Sequence, residues 1–193
     1  KISANSAATA HGVAGPLGRV FEPVQTQLDD VDRRITAQTA AFDPALEGYV
    51  AYAFGGGGKR LRPLVALLSG GATGSLVSGH LDLAVIVELI HLATLVHDDI
   101  MDEAERRRSQ PTVNARWGNS LSVLLGDVLF AHALNLSTDF DDTSISRTIA
   151  RAEATAFVHP SPDMLPERTS RTAPCCGRVW TVRLMVVLVW VSE

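Results

Sequence analysis

The chain has 193 residues, of which 46% are hydrophobic and 20% are charged, and its formal net charge is −4. This length is enough for one hydrophobic core. The charge gives no basis for nucleic-acid binding, because such a surface is normally basic over a whole face. The two cysteines, Cys175 and Cys176, are adjacent and too close for ordinary disulfide geometry, which fits a reducing cytosol. We therefore expect a cytoplasmic globular protein.

The two ends of the chain differ from its middle. Residues 1–15 are small and polar, which predicts a disordered segment. Residues 153–193 collect four prolines and both cysteines without a helical period, so we interpret them as an atypical tail and a possible non-native continuation. The apolar run Val179 to Val191 contains Arg183 and is shorter than the roughly 20 residues that span a bilayer, so no membrane span is predicted. Residues 16–152 remain as the folded body.

Hydrophobic residues in this body recur at intervals of three and four, which predicts amphipathic helices. The predicted helices are Pro16 to about Phe42, Pro44 (capped by Asp43) to about Phe54, Leu61 to Leu68, Gly79 to about Glu103, Ser120 (capped by Asn119) to about Ser137, and Asp142 into Ala156. No alternating, strand-like pattern with hairpin signals is present. The predicted fold class is therefore all-α.

The helix from Gly79 to Glu103 is hydrophobic almost all round, which is typical of a helix in the middle of a bundle. One stripe of it is polar and carries Glu88, His91, Asp98 and Asp102. Residues four apart are neighbours on a helix, so the last two carboxylates repel each other unless a cation lies between them. Magnesium, with its preference for oxygen ligands, is the expected cation. The aspartates form a DDxxD motif at residues 98–102. This motif taken alone favours the alternative, an acidic helix end that continues into a solvated basic loop.

Cations flank this helix on both sides. Four glycines precede Lys59, Arg60 and Arg62 in the segment GGGGKRLRP, and glycines let the backbone approach a bulky or charged group closely. Three further arginines, residues 106–108, follow the aspartates. Aspartates and arginines together suit a phosphorylated substrate. The alternative is a flexible turn with solvated basic side chains.

Three motifs in order, GGGGKRLRP, HLATLVHDDIMDEAERRRSQPT and GNSLSVLLGDVLF, strongly resemble the trans-isoprenyl diphosphate synthases, or polyprenyl synthetase family. The resemblance covers roughly residues 16–152. It implies a bundle of helices around a central cavity, usually in a homodimer. It also implies magnesium-assisted, head-to-tail condensation of an allylic diphosphate with isopentenyl diphosphate.

The resemblance assigns the acidic residues to the metal. Asp98 and Asp102 would hold magnesium on the allylic diphosphate, and Asp99 would contribute to the same acidic patch. These three positions are the implied catalytic aspartates.

The resemblance assigns the basic residues to the substrates. Lys59, Arg62 and His91 would bind isopentenyl diphosphate. Arg107 matches the arginine on the allylic diphosphate, and Arg108 matches the one on isopentenyl diphosphate. The sequence departs from the family pattern at residue 106, an arginine where a hydrophobic residue is usual, and at residue 109, a serine where glycine is usual.

Product length is predicted from Ala93 and Thr94, about one turn before Asp98. Short-chain relatives tend to carry aromatic residues at these positions, which block the cavity. Small residues leave it open, so we predict a product between heptaprenyl and decaprenyl diphosphate. Replacement of Ala93 by Phe should shorten it.

The family's second aspartate-rich motif has no match among the later aspartates, residues 139, 141, 142 and 163. We therefore expect this polypeptide alone to be inactive or nearly so. Three other interpretations remain open: a terpene cyclase, which would not need a second diphosphate pocket; a non-catalytic partner subunit of a two-chain prenyltransferase; and a purely structural helical domain.

Overall fold

The computed structural model describes residues 18–55 and 58–158, and this part of the chain is almost entirely helical. Its α-helices are α1 (Gly18–Phe21), α2 (Gln25–Ala37), α3 (Pro44–Gly55), α4 (Leu61–Thr73), α5 (Ser78–Met101), α6 (Val113–Trp117), α7 (Asn119–Ser137) and α8 (Ser144–Val158). The all-α prediction is confirmed. The predicted disordered segment, residues 1–15, and residues 159–193 of the tail lie outside the described residues.

The first predicted helix is interrupted twice. The 3-10 turns Glu22–Val24 and Gln38–Ala41 flank α2, so the single helix expected from Pro16 to Phe42 is wrong in its continuity. Pro23 lies in the first of these turns and has no N–H to donate, which favours a break. The predicted cap at the next helix is confirmed, because Asp43 Oδ1 accepts a hydrogen bond of 2.8 Å from the Ala45 N–H.

Helix α5 is the central element, packed against α2, α4 and α7. Ile86 and Leu89 are among its fully buried side chains. By length and composition α5 and α7 could each cross a membrane, but 61% of the apolar window of α5 is buried inside the fold. Core packing accounts for the hydrophobicity of α5 in the way predicted from its sequence.

A two-stranded antiparallel ladder follows α5, where the sequence predicted no strand. Its strands are β1 (Arg106–Arg107) and β2 (Gln110–Pro111). The turn residues Arg108 and Ser109 both have positive φ, 50° and 68°, as two-residue hairpin turns of the mirror-image kind require. Such φ values favour glycine, which gives a physical reason for the glycine that is usual at this position in the resembling family; Ser109 adopts the same conformation without it.

The segment between β2 and α7 contains the short helix α6. Thr112 is 3% exposed and caps this helix, since its Oγ1 accepts from the Ala115 N–H and donates to the Ala104 carbonyl at 2.6 Å. These bonds join the hairpin segment to the end of α5.

Candidate functional site

A polar cleft lies where the glycine-rich segment, α5 and the β1–β2 hairpin meet. Its lining residues are Gly58, Lys59, Arg60, Leu61, Arg62, Glu88, His91 and Arg108. The four residues predicted to bind isopentenyl diphosphate, at positions 59, 62, 91 and 108, therefore border one cleft. They come from three separate segments of the sequence, and only the fold brings them together.

Close approach of the glycine run to the hairpin is visible at Gly58. A Cβ atom placed there would lie 3.0 Å from Nη1 of Arg108, a distance shorter than nine in ten real Cβ contacts. The absence of a side chain therefore lets the loop backbone pack against this guanidinium. The hairpin and the loop therefore meet at the edge of the same polar cleft.

A second, more apolar cleft adjoins the first. The two share Gly58, Arg60, Glu88, His91 and Arg108. The apolar cleft continues past Phe54, Leu92, Leu95, Val96 and Val113, and Asp99 and Arg107 also border it. A ligand with an anionic head and a hydrocarbon body matches this arrangement of a cationic end and an apolar wall.

The three aspartates of the motif have different surroundings. Asp99 is 5% exposed, and its Oδ1 accepts hydrogen bonds from Nε and Nη2 of Arg107 at 2.9 and 2.7 Å. Asp98 is half-buried and Asp102 is exposed, and neither borders the two clefts described above. Asp99 therefore binds Arg107 of the hairpin, whereas Asp98 lies in the last turn of α5 and Asp102 is the C-cap of that helix.

The carboxylate oxygens at the end of α5 could ligate a magnesium ion that also binds a phosphorylated ligand. Asp98 and Asp102 are four residues apart, and the Asp102 N–H donates to the Asp98 carbonyl at 2.8 Å. Within residues 18–55 and 58–158, no group of three or more His, Cys, Asp or Glu side chains is placed to hold a metal. Magnesium commonly takes only one or two protein carboxylates and completes its shell with water and phosphate oxygens, so these two carboxylates fit it.

Arg60 has a role that its place among the basic residues of the glycine-rich segment did not reveal. Its Nε donates to Asp32 Oδ1 at 2.6 Å and its Nη1 to Glu88 Oε1 at 2.8 Å. Burial opposes the charge of Arg60, but attraction to Glu88 and then to Asp32 outweighs it, and the pKa of Arg60 is raised. The position of Glu88 on the polar stripe of a central, hydrophobic helix is the signal that could have revealed this role, because a buried carboxylate requires a partner. That partner is Arg60 of the loop.

The two residues predicted to control product length are buried. Ala93 is 2% and Thr94 is 8% exposed, and neither borders the two clefts. Leu92, Leu95 and Val96 are the α5 residues that form the apolar wall. The product-length interpretation stays a prediction.

Comparison with known proteins places the chain in a family. The family model described as polyprenyl synthetase matches residues 43–165. Octaprenyl diphosphate synthase of Escherichia coli is 40% identical over 101 residues, which cover 52% of this chain and 31% of that protein. This chain therefore spans only part of the length of its curated relative.

Two solved structures share the fold. A decaprenyl diphosphate synthase from Rhodobacter capsulatus superposes with a TM-score of 0.68 and 35% identity, over 74% of this chain and 44% of that one. A polyprenyl synthase from Caulobacter crescentus, complexed with calcium and isoprenyl diphosphate, has a TM-score of 0.74 and 27% identity, over 93% of this chain and 57% of that one. The family match covers most of the chain, and the helical bundle and the clefts bordered by the three motifs agree with it. The chain belongs to the polyprenyl synthetase family.

Proposed function

We propose that this chain forms the diphosphate-binding part of a prenyltransferase that condenses isopentenyl diphosphate with an allylic diphosphate to a long-chain polyprenyl diphosphate. The observation that carries the proposal is the gathering of Lys59, Arg62, His91 and Arg108 on one cleft beside an apolar one. The names of the relatives, octaprenyl and decaprenyl diphosphate synthase, support the product class. The isoprenyl diphosphate in the Caulobacter crescentus structure supports the ligand class.

In this proposal the polar cleft binds isopentenyl diphosphate. Arg62 and Arg108 offer planar guanidinium forks that match phosphate oxygens in pairs, and Lys59 supplies a compact charge with three donors. His91 completes the set from α5. These interactions place the isopentenyl double bond at the start of the apolar cleft, where reaction requires orientation more than acid or base chemistry.

Arg107 is assigned to the allylic diphosphate. Asp99 fixes its guanidinium, so a positive charge is held in place before the substrate arrives. The bond between the allylic carbon and the diphosphate oxygen breaks, and the diphosphate leaves with the electron pair. The double bond of isopentenyl diphosphate then forms the new carbon–carbon bond, and a proton is lost. This sequence needs no side-chain nucleophile.

Asp98 and Asp102 would hold magnesium at the allylic diphosphate. When bound, the ion neutralises diphosphate charge and stabilises the leaving group. The long-chain product rests on the small side chains at residues 93 and 94. The homodimer implied by the resemblance and the cytoplasmic location expected from the cysteines belong to the same proposal.

The 193 residues contain no second aspartate-rich motif, so we expect this polypeptide by itself to bind diphosphates but to turn over little. One alternative is a non-catalytic partner subunit of a two-chain prenyltransferase. A non-catalytic subunit would not need all the cations of the polar cleft for substrate binding. Their presence in this chain therefore favours the catalytic proposal.

The proposal is tested by calorimetric titration of the full chain with isopentenyl diphosphate, with and without magnesium. We expect binding, weakened roughly tenfold or more by Lys59→Met, because a hydrogen bond to a charged group contributes about 1.5–3 kcal/mol. The matched control is Arg33→Met, which removes an exposed cation of α2 outside both clefts and should leave the affinity unchanged. A wild-type chain that does not bind isopentenyl diphosphate would contradict the proposal.

A further inference from the structure

The ion pair between Arg60 and Glu88 lies at the edge of the polar cleft. Arg60 is placed between the two loop cations, Lys59 and Arg62, and has left-handed backbone geometry with φ 46° and ψ 40°. Residues with a side chain rarely adopt this conformation unless surrounding contacts hold it. The contacts here are the hydrogen bonds of the Arg60 guanidinium to Glu88 and Asp32. The two ion pairs therefore hold the backbone of the loop at Arg60, which lies between Lys59 and Arg62.

Glu88 is an unexpected neighbour for a diphosphate. It is 4% exposed and borders both clefts. Its Oε1 accepts from Arg60, whereas Oε2 is buried and has no hydrogen-bond partner within the part of the chain that the structure describes. A carboxylate repels a diphosphate, and a buried oxygen without a donor is unfavourable. Both features need an explanation other than direct binding.

We propose that Glu88 is a positioning residue for isopentenyl diphosphate, an inference that rests on the function proposed above. Through Oε1 and Arg60 it sets the loop backbone, so that Lys59 and Arg62 border the cleft together. Its Oε2 accepts a hydrogen bond from the ammonium of Lys59 when the diphosphate is bound. Lys59 is exposed and borders the same cleft, and its three N–H donors can serve a carboxylate and a phosphate at once.

The sign of the effect of Glu88→Gln separates positioning from simple electrostatics. If Glu88 acted only through its charge, loss of that charge would reduce repulsion and tighten binding. Positioning predicts the opposite, a weakening of isopentenyl diphosphate binding by roughly tenfold, the size expected when a charged hydrogen bond is lost. Glu88→Asp should also bind weakly, because the shorter side chain retracts the carboxylate from Arg60.

The experiment is calorimetric titration of isopentenyl diphosphate into the full chain and these variants. Equal or tighter binding by Glu88→Gln would overturn the inference while the proposed function stands. A wild-type chain that fails to bind would overturn both. Lys59→Met should cost less affinity in the Glu88→Gln background than in the wild type, because the two groups are coupled. Additive losses would contradict the contact with Lys59.

Loss of one partner of a buried ion pair also destabilises a fold, so stability is measured in parallel. The double variant Arg60→Met/Glu88→Met replaces the pair with apolar side chains and should keep the fold, seen as a retained helical spectrum and cooperative unfolding. It should still bind weakly; a folded double variant with wild-type affinity would overturn the inference. The matched control is Asp82→Asn, which removes the carboxylate of the Arg34–Asp82 ion pair. This pair links α2 to α5 outside both clefts, so the variant should bind normally.

Discussion

Arg107 and Asp99 are joined by two hydrogen bonds, in which Nε and Nη2 of the guanidinium donate to a single carboxylate oxygen at 2.9 and 2.7 Å. This pair connects the end of α5 to strand β1 and places Arg107 on the wall of the apolar cleft. The middle aspartate of the motif is therefore engaged in orienting an arginine, while Asp98 and Asp102 are more exposed. The three carboxylates should respond differently to mutation.

Asp99→Asn should weaken the binding of an allylic diphosphate by a similar factor with and without magnesium, because it releases Arg107. Asp98→Asn should instead reduce the gain in affinity that magnesium provides. Calorimetric titration with farnesyl diphosphate, with and without magnesium, measures both effects. If Asp99→Asn removed the magnesium-dependent gain to the same extent as Asp98→Asn, the separation of roles would be wrong.

Gly58→Ala should weaken isopentenyl diphosphate binding several-fold. The new Cβ would lie 3.0 Å from Nη1 of Arg108, so the guanidinium or the loop must shift. Gly55→Ala is the matched control from the same glycine run, since a Cβ there would meet nothing within 4 Å. Equal affinities of the two variants, determined by titration, would show that the close approach at residue 58 has no role in binding.

Gly126→Ala should destabilise the fold by about 1–3 kcal/mol through overpacking. A Cβ at Gly126 would overlap the ring of His97, whose Nε2 lies 3.2 Å from the Val123 carbonyl across the interface of α5 and α7. The control is Gly48→Ala in the exposed part of α3, where the space is open and a gain of about 0.5–1 kcal/mol is expected from helix propensity. Denaturant unfolding measures both changes, and a stabilising Gly126→Ala would refute the packing argument.

His132 should make stability depend on pH. Its Nε2 lies 2.8 Å from Oε1 of Gln38, and burial lowers the pKa of His132 below its ordinary value of 6.5. The unfolded chain therefore takes up this proton at a higher pH than the folded chain does. The contribution of the neutral ring is complete above pH 6.5 and is lost as pH falls through the folded pKa.

Thermal unfolding of the wild type and of His132→Asn, from about pH 8 to about pH 5, tests this expectation across the titration range of histidine. The unfolding midpoint of the wild type should fall more steeply with decreasing pH than that of the variant. Parallel curves would contradict it, because the remaining titratable groups are common to both proteins.

Several features could be predicted from the sequence because their causes are local. Hydrophobic spacing predicted α5 within two residues at either end, and Asp43 was identified as a helix cap from its side chain and the following proline. The cations of the polar cleft were also named in advance, because the resemblance of three motifs to the polyprenyl synthetase family implies that they share one substrate. What the sequence determined by itself is the helical fold, its central helix and the set of charged residues that meet.

The tertiary structure decided which of these charges pair with one another. Arg60 binds Glu88 and Asp32, each 28 residues away in sequence, and Asp99 binds Arg107. Ala93 is buried and borders neither of the two clefts described above. The periodicity of a helix indicates which residues share a face but not what that face meets. Partner choice depends on distances between elements that are remote in sequence, and these distances exist only once the helices have packed.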